Sequence, residues 1–227
     1  MDNGQQQERL EALQRYGILN TQEEESYNRY THLAAHLFDV PVALISMVDK
    51  DRIWIKAGHG IDRSFQMSWD PALCANVISS GKLQVVEDTL KNAATAGHSM
   101  VKSEFGLRFY AGIPLLSKEG YGLGSFCLID KKPRKFSARH SEQFSFLVSL
   151  LMDYMELDFQ QRTTVVKQQE TIKALAHDLK NPLTIVTLQS ELLMDENGAT
   201  DDIIEMSQQI STAGRKINDL INKRLFS

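Results

Sequence analysis

The hydrophobic pattern of this chain changes period once. Up to about residue 158, short runs of helical spacing alternate with short β-like runs separated by turn residues, and beyond that point the strand signals vanish and a single proline remains, Pro182. The opening stretch Glu8 to Arg15 is amphipathic, and Thr21 to Phe38 sets Tyr27, Tyr30, Leu33, Ala34 and Leu37 at helical spacing, so that stripe is expected to face a core. Pro41 to Val48 is apolar and rich in β-branched residues. It ends at Asp49-Lys50-Asp51 and is followed by the alternating Arg52 to Ala57, which together predict an antiparallel hairpin. Leu83 to Val86 predicts a further strand, while Leu107 to Leu116 and Leu123 to Asp130 predict a second hairpin across the turn Lys118 to Gly122. Helices are expected near Pro71 to Ser79 and Ser99 to Glu104. The fold class that follows is α+β, an antiparallel sheet covered by helices.

Ser137 is a plausible N-cap, and from it a helical pattern runs without a breaker through Ala176. Counted in sevens, Val165, Ile172, Leu179 and Val186 fall on one seam position, and Gln168, Leu175 and Pro182 on the other. The segment around 194–200 interrupts the helix. Thr200 then caps a second one, with Asp201 and Asp202 in its first turn, where the helix dipole favours carboxylates. Ile203, Met206, Ile210, Ala213, Ile217 and Leu220 give this second helix its own seam. Two such helices bury little surface by themselves, so a four-helix bundle built by two chains in a homodimer is expected. The domains read as 1–158 for the α/β part, 159–170 for a linking signalling helix, and 171–227 for the hairpin.

Composition narrows the classes of function. With 227 residues, 42% hydrophobic and 24% charged, the chain is an ordinary globular one, and its formal charge of −4, with no Lys/Arg-rich run expected to build a concentrated basic face, argues against nucleic acid as a partner. No apolar run reaches the roughly 18 residues needed to cross a bilayer, and the N-terminus lacks the charged and apolar regions of a secretory signal. A cytoplasmic location without membrane attachment is therefore expected. Cys74 and Cys127 have neither CxxC nor Cys/His ligand spacing, so buried thiols are expected and no metal site is assigned.

One histidine stands apart. With Ile172 and Leu175 on the seam, His177 turns outward, and Asn181 and Thr184 follow it one and two turns on along an exposed face. Pro182 removes a backbone donor one turn past the histidine and should bend or loosen the helix there. His32, His36, His59, His98 and His140 lack such surroundings and are read as ordinary solvated surface residues.

Two resemblances give these patterns a context. The strings ERLEALQRYGILNT, FDVPVALISMVDKDRIWIKAGHG, RFYAGIPL and GLGSFCLIDKKPR resemble a GAF domain of bacterial sensor kinases. That implies a GAF/PAS-like sheet of five or six strands, with helices on one side that pack against a partner and a pocket on the other. Trp54, Arg108 and Tyr110 are the candidates for lining such a pocket, although aromatics on strands more often fill cores. Its ligand is open. A bilin is disfavoured because neither cysteine is followed by histidine, and a cyclic nucleotide because the NKFDE-type pattern is absent.

The run His177-Asp178-Leu179-Lys180-Asn181-Pro182-Leu183-Thr184 resembles the H-box of histidine kinases. The resemblance implies two-component signalling. His177 would be the phosphoacceptor, Asp178 a candidate general base, and Asn181 and Thr184 candidates for orienting the water that dephosphorylates a response-regulator receiver domain. No glycine-rich lid or DxGxG-like segment occurs, so ATP and Mg would be bound by a separate catalytic domain in cis or in trans. The chain, ending where the second helix would hand over to that domain, is expected to be a portion of a sensor kinase. A stand-alone phosphotransfer or phosphatase protein, and a non-catalytic ligand-binding dimer, are the alternatives.

Overall fold

The computed structural model describes residues 3–22, 24–50, 52–61, 72–194 and 200–225. They form two compact units, Met1–Phe159 and Gln160–Ser227. In chain order the elements are α1 (Asn3–Tyr16), α2 (Glu25–Leu37), β1 (Val42–Val48), β2 (Ile53–His59), α3 (Ala72–Ser80), β3 (Gln84–Val86), α4 (Ser99–Lys102), β4 (Phe109–Leu116), β5 (Gly122–Asp130), α5 (Ala138–Met194) and α6 (Asp201–Leu225).

Five strands form one antiparallel sheet in the order β2-β1-β5-β4-β3, and the two hairpins expected from the turn residues are its β1–β2 and β4–β5 pairs. Side chains alternate across a strand, and the sheet uses both faces. Phe109, Ala111, Ile113 and Leu115 of β4 join Ala43, Ile45 and Met47 of β1 in a core with α1, α2 and the first part of α5. From α5, Phe144, Leu147, Val148, Leu151 and Met155 reach this core, and Phe144 meets Phe126 edge-on at 5.5 Å. On the opposite face Val42, Leu44, Tyr110, Cys127 and Ile129 pack with Val77 of α3, Met100 and Val101 of α4, and Leu107. That is the face on which the resemblance implies a pocket, and a second apolar cluster occupies it.

Polar side chains pin the helices to the sheet. Arg9 of α1 is buried and donates to the carbonyls of Val48 at 2.6 Å and Gly122 at 3.2 Å, the end of β1 and the start of β5. Burial lowers its pKa, an effect opposed by Asp49. Lys56 of β2 is likewise buried, and it holds Glu24 and Thr21 in the connection between α1 and α2 while lying 4.6 Å above the Tyr27 ring. Ser137 caps α5, its Oγ accepting from the His140 amide at 3.1 Å.

Three expectations change. The buried stripe of α2 is Tyr27, Thr31, Ala34 and Ala35, whereas Leu33 and Leu37 are 53% and 46% exposed. The helix is rotated because small residues let it approach the sheet closely. The opening helix is longer than its apolar stripe, starting at Asn3, and α4 stops at Lys102 rather than Glu104. The run Lys131, Lys132, Arg134 and Lys135 after β5 is locally basic, yet Arg134 is paired with Asp130 and Asp39, and Lys135 with Glu87. Cys127 is buried, while the Cys74 side chain, Asp51 in the first hairpin turn, and the helix break at 195–199 lie outside the described residues.

In the sheet centre Gly124 has no room for a side chain, since a Cβ there would lie 1.9 Å from the Ser46 carbonyl oxygen. Gly124→Ala is expected to cost about 3 kcal/mol by forcing β1 and β5 apart. Thermal unfolding followed by circular dichroism measures this, and a Tm equal to the parent's would contradict the close approach.

Candidate functional site

Helix-forming residues dominate Gln168 to Lys180, and α5 stays helical through Pro182. Ala176 is buried at 3% exposure, and one residue further turns the direction by roughly 100°. His177 accordingly stands outward, with its side chain 72% exposed, as Asp178 is at 79%. The Asp178 carboxylate lies 3.6 Å from His177 Nδ1. This is an ion-pair distance rather than a hydrogen bond, and closing it takes a small side-chain rotation. Asn181 and Thr184 are exposed on the same face, one and two turns along, with the Thr184 hydroxyl donating back to the Lys180 carbonyl at 2.8 Å. The four residues expected to act together therefore share one exposed helical surface.

The hairpin supports this surface from behind. Lys180 Nζ donates to Asn222 at 3.3 Å, and the Glu191 carboxylate accepts from Ser211 at 3.1 Å and Arg215 at 2.6 Å. Partner numbers fall along α6 as they rise along α5, which marks antiparallel packing. The bonds from Arg215 and then Ser211 hold Glu191 below the usual carboxylate range. Between the helices the buried side chains are small and mostly polar: Thr187 and Ser190 from α5, and Ser207 and Ser211 from α6. Gly214 belongs to the same stripe, where a Cβ would come within 2.2 Å of Thr187 Oγ1.

The apolar seams read from the sequence point elsewhere. Val165, Ile172, Leu175, Leu179 and Val186 on α5, with Ile203, Met206, Ile210, Ile217 and Leu220 on α6, are all at least 42% exposed in the single chain. The hairpin closes on the stripe one residue further along α6 and leaves its large aliphatic side chains uncovered.

The three residues proposed to line a sensing pocket do not meet. Trp54 packs against the core on the helix-rich face, Tyr110 is buried in the cluster on the opposite face, and Arg108 is committed to Asp88 through bonds of 3.0 to 3.2 Å. One sheet separates the two aromatics, so they cannot line a single cavity. Pattern reading missed a buried polar chain instead. Ser46 contacts Ser125 at 3.1 Å, Ser125 contacts Cys127 at 3.3 Å, and Cys127 contacts the Tyr110 hydroxyl at 3.2 Å, all on the α3 side of the sheet. Its only sequence signal was two serines and a cysteine within otherwise apolar strands.

Comparisons with known proteins agree with this division. Residues 22–153 match the GAF domain, and residues 167–227 match the His Kinase A (phospho-acceptor) domain. A cyclic di-GMP phosphodiesterase from Pseudomonas aeruginosa is 34% identical over 118 residues, which is 52% of this chain but only 20% of that protein, so the chain spans about a fifth of its curated relative. Among solved structures, a free methionine-R-sulfoxide reductase from Neisseria meningitidis aligns over 71% of this chain and 95% of its own, at 15% identity and a TM-score of 0.51. A GAF sensor protein from Burkholderia vietnamiensis aligns over 68% and 98%, at 14% identity and a TM-score of 0.50. At such identities these structures establish the fold alone.

His177→Ala is expected to change unfolding free energy by less than about 0.5 kcal/mol, since the side chain packs against little. Differential scanning calorimetry reads this, and a large loss would place His177 inside a core.

Proposed function

The chain belongs to the GAF domain family and carries a His Kinase A phospho-acceptor domain behind it, and we propose that it is the sensing and phosphoacceptor portion of a bacterial cytoplasmic two-component sensor kinase. The observation that carries this reading is the exposed constellation of His177, Asp178, Asn181 and Thr184 on α5. In the proposed reaction, Asp178 takes up the Nδ1 proton while the Nε2 lone pair of neutral His177 attacks the γ-phosphorus of ATP. An N–P bond forms, the bond to ADP breaks, and ADP leaves. An aspartate of a receiver domain then attacks the same phosphorus, the N–P bond breaks, and His177 Nε2 departs with the electron pair as Asp178 returns the proton to Nδ1, which restores the neutral imidazole. Asn181, and Thr184 once released from the Lys180 carbonyl, orient the water that hydrolyses the receiver's phosphate. ATP and Mg are the business of a separate catalytic domain.

A homodimer follows from the same reading. Aliphatic side chains along both hairpin helices have no cover in one chain, and a second copy supplies matching surfaces to complete a four-helix bundle. The GAF unit is the input domain; its ligand and the cognate receiver are set by residues outside this constellation.

The experiment incubates the full chain with an isolated histidine-kinase catalytic domain and Mg-ATP, and separately with a phosphorylated receiver domain. Acid-labile phosphate on His177, dependent on the catalytic domain and lost in His177→Gln, is the expected result. Phosphate retained in that variant overturns the assignment, exchange with the receiver alone favours a stand-alone phosphotransfer protein, and a monomer by light scattering at micromolar concentration removes the bundle.

Pro182→Ala is expected to raise hairpin stability, because an interior proline costs on the order of 3 kcal/mol, and to shift the balance between phosphorylation and dephosphorylation of His177. Thermal unfolding paired with phosphorylation rates in a fusion to a catalytic domain tests both effects. If neither changes, the proline has no part in signalling.

A further inference from the structure

The grip of the first unit on α5 ends over a few residues. Met155 is fully buried and Glu156, Asp158 and Phe159 are half-buried, whereas no residue from 160 to 175 is buried. The last side chains by which the first unit holds the helix are therefore those of Met155 to Phe159. Two tyrosines from separate helices meet two carboxylates there. Tyr16, at the end of α1 and 5% exposed, donates its hydroxyl to Glu156 and stacks on the Phe159 ring, with centroids 5.0 Å apart and planes 26° from parallel. Tyr27 of α2, fully buried, donates to Asp158 at 3.4 Å.

Glu156 has a second partner. Lys118, in the turn between β4 and β5, brings its Nζ to 3.2 Å from the other Glu156 oxygen, so one carboxylate ties α1 and this turn to α5 at once. Burial and then the Glu156 carboxylate raise the Tyr16 pKa far above the usual phenol range, so the hydroxyl keeps its proton and remains a donor. α1 is in turn fixed to the same hairpin. Arg9, two turns before Tyr16, binds the Gly122 carbonyl where β5 begins, and Glu8 accepts from the Tyr121 hydroxyl at 3.0 Å. A displacement of the β4–β5 hairpin thus reaches Glu156 by two routes, directly through Lys118 and indirectly through α1.

We propose that Glu156 is a releasable clasp, through which α1 and the β4–β5 hairpin set the order of α5 where it leaves the sensing domain. The closed form is the one described. Each of its contacts is a single side-chain bond and Lys118 is 64% exposed, so the carboxylate can pass to water while the apolar contacts of Phe144, Leu147, Val148, Leu151 and Met155 stay in place. Opening therefore costs the first unit no core. It frees the last turn before Phe159, and with it the helix that continues to the histidine. The consequence for His177 rests on the phosphoacceptor reading given above.

The test compares the full chain with Tyr16→Phe, which removes the hydroxyl and keeps the ring on Phe159, with Glu156→Ala, and with the double variant. Hydrogen–deuterium exchange is read separately over 156–165 and over β5. Expected are exchange about tenfold faster over 156–165 in each single variant, no further increase in the double variant, and parent-like exchange in β5. Lys135→Gln, which removes an exposed ion pair elsewhere in the same unit, should exchange as the parent does over 156–165. In a parallel arm, the rate at which an isolated catalytic domain phosphorylates His177 should change by about threefold or more in the variants whose exchange rises. Parent-like exchange over 156–165, additive effects of the two substitutions, or an equal rise in β5 would overturn the clasp, and so would faster exchange at an unchanged phosphorylation rate. A parent chain that takes up no phosphate overturns the phosphoacceptor reading instead, and exchange alone then decides the clasp.

Discussion

Strand β5 lies between β1 and β4 with all nine of its residues buried, so each of its backbone groups must find a partner within the sheet and each side chain must meet another element. Much of the first unit answers that requirement. Phe126 and Leu128 are covered by α5 and its neighbours, Cys127 and Ile129 by α3 and α4, and the absence of a side chain at Gly124 lets β1 come close enough to pair. Arg9 serves the same strand, binding the carbonyl at its first residue and the last carbonyl of β1. A charged side chain is tolerated there because its fork donates to two fixed acceptors.

The second unit distributes its residues the other way. In the first unit large apolar side chains are inside. Between α5 and α6 the interior is threonine, serine, alanine and glycine, while leucines, isoleucines and valines stand in water. Small residues let two helices approach closely, but they bury little apolar area, and so the hairpin gains little stability from its own interior. An arrangement of that kind leaves an apolar surface on both helices uncovered in the single chain. It also leaves the His177 side of α5 free, because the turn that buries Ala176 exposes His177.

Local order along the chain was legible from its residues. Strand and helix types follow from period and turn chemistry, which depend on near neighbours: all five strands, the two hairpins, the Ser137 cap and the outward direction of His177 could be read this way. The run His177 to Thr184 was equally accessible, since its residues are contiguous and helical geometry alone places His177, Asn181 and Thr184 on one face.

Contacts between distant segments required the tertiary structure. Periodicity says that α2 has an apolar stripe but not that the sheet will accept Thr31, Ala34 and Ala35 in place of Leu33 and Leu37, because that choice depends on how closely the helix can approach. Alternation on β2 and β4 does not say that Trp54 and Tyr110 belong to opposite faces, because a bulge at Ile45 and Ser46 and the pairing order set the sides. His59 lies 23 and 27 residues beyond His36 and His32, whose rings it meets, and only the packing of α2 on the edge strand joins them. The sequence by itself determined what is set by covalent spacing, a few residues at a time; the folded chain decided which of those local surfaces face one another, because burial rewards area and fit, and neither is a property of a single segment.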